Sequence, residues 1–185
     1  MILGLTGPNA SGKGEAAEYI KSKGFIYHSL SDILRQECEK LGLEPIRENL
    51  IDLGNKLRRK NGPSFLAVSI VGKLTKTENY IVDSIRNPFE VEELRKIKNF
   101  ILIGIDASVE ERFKRSLKRK RHGDAETLRD FIVKEDKENR DDIENQQIRR
   151  CLDMADVVIV NDSTIEEFHS KIDEAVKKHK KARMG

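Results

Sequence analysis

The apolar run Met1-Ile2-Leu3-Gly4-Leu5-Thr6 leads directly into Gly7-Pro8-Asn9-Ala10-Ser11-Gly12-Lys13-Gly14. This junction constrains the fold more than any other stretch of the chain. Its spacing fits the phosphate-binding loop G-x-x-x-x-G-K. In that pattern glycines let backbone N–H groups curl around a phosphate, the next helix offers its positive N-terminus, and the lysine reaches the outer phosphates. Gly14 stands where Ser or Thr usually completes the pattern. Gly/Pro/Asn clusters also make ordinary turns. The strand-like run before the loop and the helix-forming run after it favour phosphate binding, with residues Gly7 to Glu15 as the expected nucleotide-phosphate site.

Short apolar runs then alternate with longer amphipathic ones. Strands are predicted at Ile2–Thr6, Phe25–His28, Tyr80–Val82, Phe100–Ile105 and Val157–Val160. Helices are predicted near 13–22, 31–41, 47–60, 64–75, 89–98, 109–118, 125–152 (broken near Asp141) and 164–180. Strands separated by helix-length segments argue for an α/β fold of three layers, a five-stranded parallel sheet with helices on both faces. The continuous apolar run Phe100–Ile105 suits a strand covered on both sides. In such sheets ligands bind at the carboxyl ends of the strands, and these ends are polar here: the loop, His28-Ser29, Asp83-Ser84, Asp106 and Asn161-Asp162.

At 185 residues the chain is expected to form a single domain. Helices at about 31–75 would bind an acceptor and a segment at about 112–126 would act as a lid. A net charge of +3 is too small to imply a nucleic-acid partner. Cys38 and Cys151 lack metal-ligand spacing and suit a reducing cytosol. The chain has no membrane-length apolar run, and its first apolar stretch is too short, and lacks the basic start, for a signal peptide. A cytoplasmic location is therefore expected, with no membrane partner and a monomeric or homodimeric state.

Three further constellations sit near the strand ends. In Ser29-Leu30-Ser31-Asp32-Ile33-Leu34-Arg35, Ser31 or Asp32 can cap a helix that carries Arg35 one turn in. A guanidinium there can bind phosphate through two parallel hydrogen bonds, although a solvated helix arginine also fits. Asp83 closes the third apolar strand and is placed to hold magnesium through water, or simply to cap the next segment. Arg86 follows it, then Pro88, which suits a helix start. Seven of the ten residues Arg112 to Arg121 are Lys or Arg. A lid over polyphosphate, a solvated face and a nucleic-acid patch all fit this run, and its place after the fourth strand favours the lid. Asn161, at the end of the last strand, could border a base or belong to an ordinary strand-to-helix turn.

Taken in order, these stretches resemble the nucleoside-monophosphate kinase branch of phosphate-loop proteins, specifically adenylate-kinase-related and dephospho-CoA-kinase-like proteins. Gly12-Lys13-Gly14 resembles the G-K-G of adenylate kinases. Ser31-Asp32-Ile33-Leu34-Arg35 is similar to their G-D-M-L-R, whose arginine holds the acceptor phosphate. Asp83-Ser84-Ile85-Arg86 looks like their D-G-x-R. Ala155-Asp156 through Asn161 is similar instead to the A-D-x-x-I-x-N of dephospho-CoA kinases. The resemblance covers roughly residues 1 to 170.

It implies ATP-dependent, magnesium-assisted phosphoryl transfer. Gly7 to Glu15 and Asn161 would bind ATP, while Lys13, Asp83, Arg115, Arg119 and Arg121 would carry catalysis. Ser31, Asp32, Arg35, Arg58 and Arg86 would bind the acceptor. Two departures stand out. Glu15 replaces the Thr that follows G-K-G and would repel nucleotide phosphates unless magnesium intervenes. The D-x-D pair of dephospho-CoA kinases is missing, with His28-Ser29-Leu30-Ser31-Asp32 in its place. A monophosphate, with a second pKa of about 6, is largely dianionic at neutral pH and needs no base, which favours a nucleotide acceptor. Dephospho-CoA remains the alternative acceptor, and a regulatory nucleotide-binding ATPase without kinase activity remains the alternative from another class.

Overall fold

A computed structural model of the chain describes residues 1–120, 124–139 and 142–181. Five strands, β1 (Ile2–Thr6), β2 (Ile26–Ser29), β3 (Tyr80–Ile85), β4 (Phe100–Asp106) and β5 (Val157–Val160), form one parallel sheet in the order β2-β3-β1-β4-β5. β1 lies at the centre, with Leu3 opposite Ile81 of β3 and Ile101 of β4. Every residue of β1 is buried. Its polar Thr6 is accommodated by a hydrogen bond from Oγ1 to the Ile85 carbonyl at 2.8 Å.

Side-chain alternation divides the core in two. On one face Ile2, Tyr80, Val82, Phe100 and Leu102 pack against α2 (Leu30–Lys40), α3 (Arg47–Asn61), α4 (Phe65–Val71), α5 (Pro88–Arg95) and α8 (Ile148–Asp153). On the other, Leu3, Leu5, Ile81, Ile101 and Ile103 pack against α1 (Lys13–Lys21) and α9 (Ile165–Lys181). A strand buried on both faces must be apolar at every position, which explains the unbroken run in β4. Helices α6 (Val109–Arg119) and α7 (Leu128–Glu138) follow β4 and pack on each other before the chain reaches α8.

Several boundaries differ from the sequence reading. β3 continues past Val82 to Ile85, so Asp83 lies inside the strand. Ser84 bends it there with a φ of 65°, where the register against β1 shifts. The helix expected over 64–75 ends at Val71, while the stretch expected over 125–152 with a break forms two helices, α7 and α8. The expected break at Asp141 lies outside the described residues. Just before α8 the chain is drawn back to the sheet, because the Gln147 N–H donates to the Arg86 carbonyl at 2.7 Å. Caps also moved. Ser29 Oγ, not Ser31 or Asp32, accepts from the α2 backbone at Ser31. Thr164 Oγ1 accepts from the Glu167 N–H at the start of α9. Asp83 caps no helix. Asn87 caps α5 in a reciprocal capping box with Glu90.

Candidate functional site

The phosphate loop leaves β1 and enters α1 through two conformations that require glycine. Gly7 has a φ of 143°, and a Cβ there would lie 2.0 Å from the Ile105 carbonyl oxygen. Gly12 has a φ of 107°, with Asn161 Nδ2 2.1 Å from where its Cβ would stand. The loop is braced from outside. Asn161 Nδ2 donates to the Ser11 carbonyl at 2.9 Å. Arg115 bridges the Ser11 and Asn161 carbonyls at 3.2 and 2.8 Å. Arg119 Nη2 donates to Asn9 Oδ1 at 2.9 Å and forms a two-pronged pair with Asp124. Arg115 and Arg119 thus hold the loop itself. Arg121, also expected in the lid, lies outside the described residues.

Lys13 folds back on its own loop, donating from Nζ to the Gly7 and Pro8 carbonyls at 2.7 Å each. Burial, reinforced by the nearby Arg86 guanidinium, lowers its pKa to about 7, while Asp83 pulls the other way. Gly14 has nothing within 4 Å of a would-be Cβ. The missing hydroxyl therefore leaves open space and not a tightened backbone.

Glu15 is directed away from the loop. Its Oε1 lies 2.8 Å from His169 Nε2 on α9, and the His169 ring stacks on Tyr19 at 3.7 Å between centroids. Tyr19 in turn donates to Asp173 at 2.9 Å. The Glu15 carboxylate is thus engaged by a side chain of α9 rather than by the loop.

Asp83 is buried within β3, the strand neighbouring β1, two residues before its carboxyl end. Tyr27 Oη donates to its Oδ2 at 2.9 Å and the Ser84 N–H to its Oδ1 at 2.5 Å. Burial and the adjacent carboxylate push the Tyr27 phenol well above its ordinary pKa, so it remains a donor. No cluster of three or more His, Cys, Asp or Glu suited to a metal occurs among the described residues. A magnesium ion here would fit as one held by Asp83 through water and by nucleotide phosphates, since magnesium keeps most of its hydration. The buried Ser11 Oγ, which has no hydrogen-bond partner, is a further oxygen in the loop.

Beside the loop lies a cavity of about 370 Å3, lined by Asn9 of the loop and by five arginines: Arg35, Arg47, Arg58, Arg86 and Arg119. Ser31 also lines it, with Leu30, Leu34 and Leu50 as an apolar wall. Four of the guanidiniums have carboxylate partners. Arg35 pairs with Asp32 at 2.6 Å, where both are half exposed. Arg47 forms two bonds of 2.7 Å with Glu138. Arg58 pairs with Glu90, at 3% and 0% exposure respectively, and Arg119 pairs with Asp124. Arg86 is different: its Nη1 donates to Gln146 Oε1 at 3.1 Å, and no carboxylate among the described residues pairs with it. Burial, then Arg47, lowers its pKa.

The structure therefore brings Lys13, Asp83, Arg35, Arg86, Arg115 and Arg119 to one end of the sheet. Arg58 reaches the cavity wall with its charge already met by Glu90. Asp32 serves Arg35. The sequence reading missed Arg47, Gln146, Tyr27 and Glu90. Of these only Glu90 carried a local signal, standing three residues after Asn87 in the spacing of a capping box.

Comparison with known proteins agrees with this architecture. A family model described as an AAA domain matches residues 3–142. UPF0200 proteins from Sulfurisphaera tokodaii and Pyrococcus abyssi are 35% and 34% identical to it, each match covering 96% of both chains. The chain belongs to the AAA domain and UPF0200 families. Among solved structures, shikimate kinase from Aquifex aeolicus superposes with a TM-score of 0.55 at 16% identity, over 96% of this chain and 97% of the other. Shikimate kinase from Acinetobacter baumannii, in complex with shikimate, gives 0.57 at 15% identity over 97% and 94%. At such identities the likeness is one of fold, that of phosphate-loop kinases related to the nucleoside-monophosphate kinases. No described helix is long and apolar enough to cross a membrane.

Proposed function

We propose that the chain transfers the γ-phosphoryl group of ATP to a nucleoside monophosphate. The observation that carries this reading is Arg86, a half-buried guanidinium with no carboxylate partner among the described residues, on the wall of a cavity that the phosphate loop also lines. A guanidinium that is partly withdrawn from water and lacks a counter-charge is favourably placed for an anion, and a phosphate monoester offers two oxygens to one guanidinium. The kinase-like fold and the AAA domain support the same direction.

In this reading Lys13 and the N–H groups of residues 7–14 hold the ATP phosphates, and Lys13 exchanges the Gly7 and Pro8 carbonyls for phosphate oxygens. Asp83 would hold hydrated magnesium, which would supply charge neutralisation at the transferred group. Arg86, with Arg35 released from its exposed partner Asp32, grips the acceptor phosphate. Arg115 and Arg119 keep the loop in shape. Both Asp83 oxygens already accept hydrogen bonds, which suits an acceptor that arrives ionised. Positioning and preorganised charge account for the rate without a covalent intermediate.

The test is ATP consumption by the purified chain with AMP, CMP, dCMP, dephospho-CoA or no acceptor. The account expects consumption that depends on a nucleoside monophosphate. Preference for dephospho-CoA would make it a kinase of a hydroxyl acceptor, and equal consumption with no acceptor would make it an ATPase.

A further inference from the structure

Glu90 sits in the first turn of α5, fully buried, behind the cavity wall and not on it. Its Oε1 accepts from Arg58 Nε and Nη2 at 3.0 and 2.7 Å. Its Oε2 accepts from the backbone N–H groups of Arg86 and Asn87 at 2.9 and 3.1 Å. One carboxylate thus joins α3, which covers the cavity, to the segment from which Arg86 enters it. Two further ties fix the same backbone. The Arg86 carbonyl accepts from Gln147 N–H, and the Asn87 side-chain amide donates to the carbonyls of Ile143 and Asn145 at 2.7 and 2.9 Å.

We propose that the Arg58–Glu90 pair positions Arg86 for the acceptor phosphate, with Arg58 acting through Glu90 and not by gripping the acceptor itself. The identity of that ligand rests on the kinase reading above. Stability gives little reason to keep such a pair, because a buried ion pair seldom outperforms apolar residues of the same volume. Placement does give one. Two-pronged phosphate recognition depends on guanidinium orientation, and phosphoryl transfer loses rate steeply when a reacting group is displaced. Pairing Arg58 internally also leaves Arg86 as the arginine of the cavity wall that no carboxylate among the described residues pairs with.

Three variants of the full chain test this. Arg58→Lys keeps the charge and loses the fork, Glu90→Gln keeps the shape and replaces an acceptor by a donor, and Arg86→Lys is the benchmark. In steady-state kinetics, Arg58→Lys and Glu90→Gln are expected to raise the acceptor KM roughly tenfold while the ATP KM stays within about twofold. Adding Arg86→Lys to either should cost little more than Arg86→Lys alone, because both changes disable the same contact. Calorimetric titration of folded protein with AMP and with inorganic phosphate should show the same loss of affinity, roughly tenfold. Should Glu90→Gln fail to fold, Arg58→Lys carries the test.

A folded Arg58→Lys that binds phosphate as the wild type does, or that loses ATP and acceptor affinity equally, overturns the proposal. Wild-type protein that binds AMP but transfers nothing to any acceptor overturns the kinase reading, and the titrations still decide the positioning role. Wild-type protein that binds neither AMP nor phosphate overturns both.

Discussion

The two halves of the site are built on different principles. The phosphate loop is eight consecutive residues whose ligand groups are backbone N–H donors, held in shape by glycine conformations at Gly7 and Gly12 and by braces from Asn161, Arg115 and Arg119. The neighbouring cavity is made of side chains from α2, α3, α6, the end of β3 and the segment before α8, with nearly every charge already paired. On the proposed function, the loop would hold the donor polyphosphate through groups common to all nucleotides. The choice of acceptor would then fall to the cavity, where Arg86 is the lining arginine that no carboxylate among the described residues pairs with.

Mutations should separate the halves. Lys13→Ala is expected to lower kcat/KM roughly a hundred- to a thousandfold, the usual loss of a single preorganised contact to developing charge, with an unchanged circular dichroism spectrum. Unaltered turnover would remove Lys13 from the chemistry. Arg86→Ala should weaken acceptor binding by about 1.5–3 kcal/mol, the scale of a charged hydrogen bond. Arg35→Ala should cost less, near the 0–1 kcal/mol scale of an exposed pair. Acceptor titrations of the two variants check that ranking, and an equal loss would mean the cavity has no single dominant cation.

A smaller effect concerns protons. With its pKa lowered to about 7, Lys13 is mostly neutral at pH 8 in the free protein. Phosphate oxygens favour the ammonium, so ATP binding at pH 8 should take up close to one proton, fading towards zero near pH 6. Calorimetry in buffers of different ionisation enthalpy measures this. The smallest change is Gly14→Ser. A Cβ fits there without contact, and removing a helical glycine should raise stability by about 0.5 kcal/mol. A lower magnesium requirement for turnover would add that the restored hydroxyl reaches the metal.

The same contrast explains what could be read from the sequence. The loop, the five strands and the three-layer arrangement were legible because they are local or periodic: a fixed glycine spacing, apolar runs, and helix-length intervals. β3 was read short because its last residues, Asp83 to Ile85, include a polar pair and a left-handed Ser84 that look like a turn. The cavity was only partly legible. Arg35 and Arg86 sit in recognisable strings, whereas Arg47 meets Glu138 across 91 residues and Arg58 meets Glu90 across 32. Nothing local in a sequence tells a paired arginine from a free one. For that reason the sequence, which places Arg58 at the acceptor and Arg115 and Arg119 in a lid, gives no sign that Arg58 pairs with Glu90 or that Arg115 and Arg119 donate to the loop. Glu15 shows the reverse case: a residue that looked disruptive is occupied by His169 from α9, 154 positions away.

On the proposed function, phosphate captured at the loop moves to an anion held at Arg86. Phosphorus-31 NMR of the chain with magnesium, ATP and a nucleoside monophosphate follows that group directly. The account predicts that the γ-phosphoryl signal of ATP is replaced by the β-phosphate signal of a new nucleoside diphosphate, and that Arg86→Ala slows this conversion. Appearance of inorganic phosphate alone, at the same rate with or without the monophosphate, would contradict it.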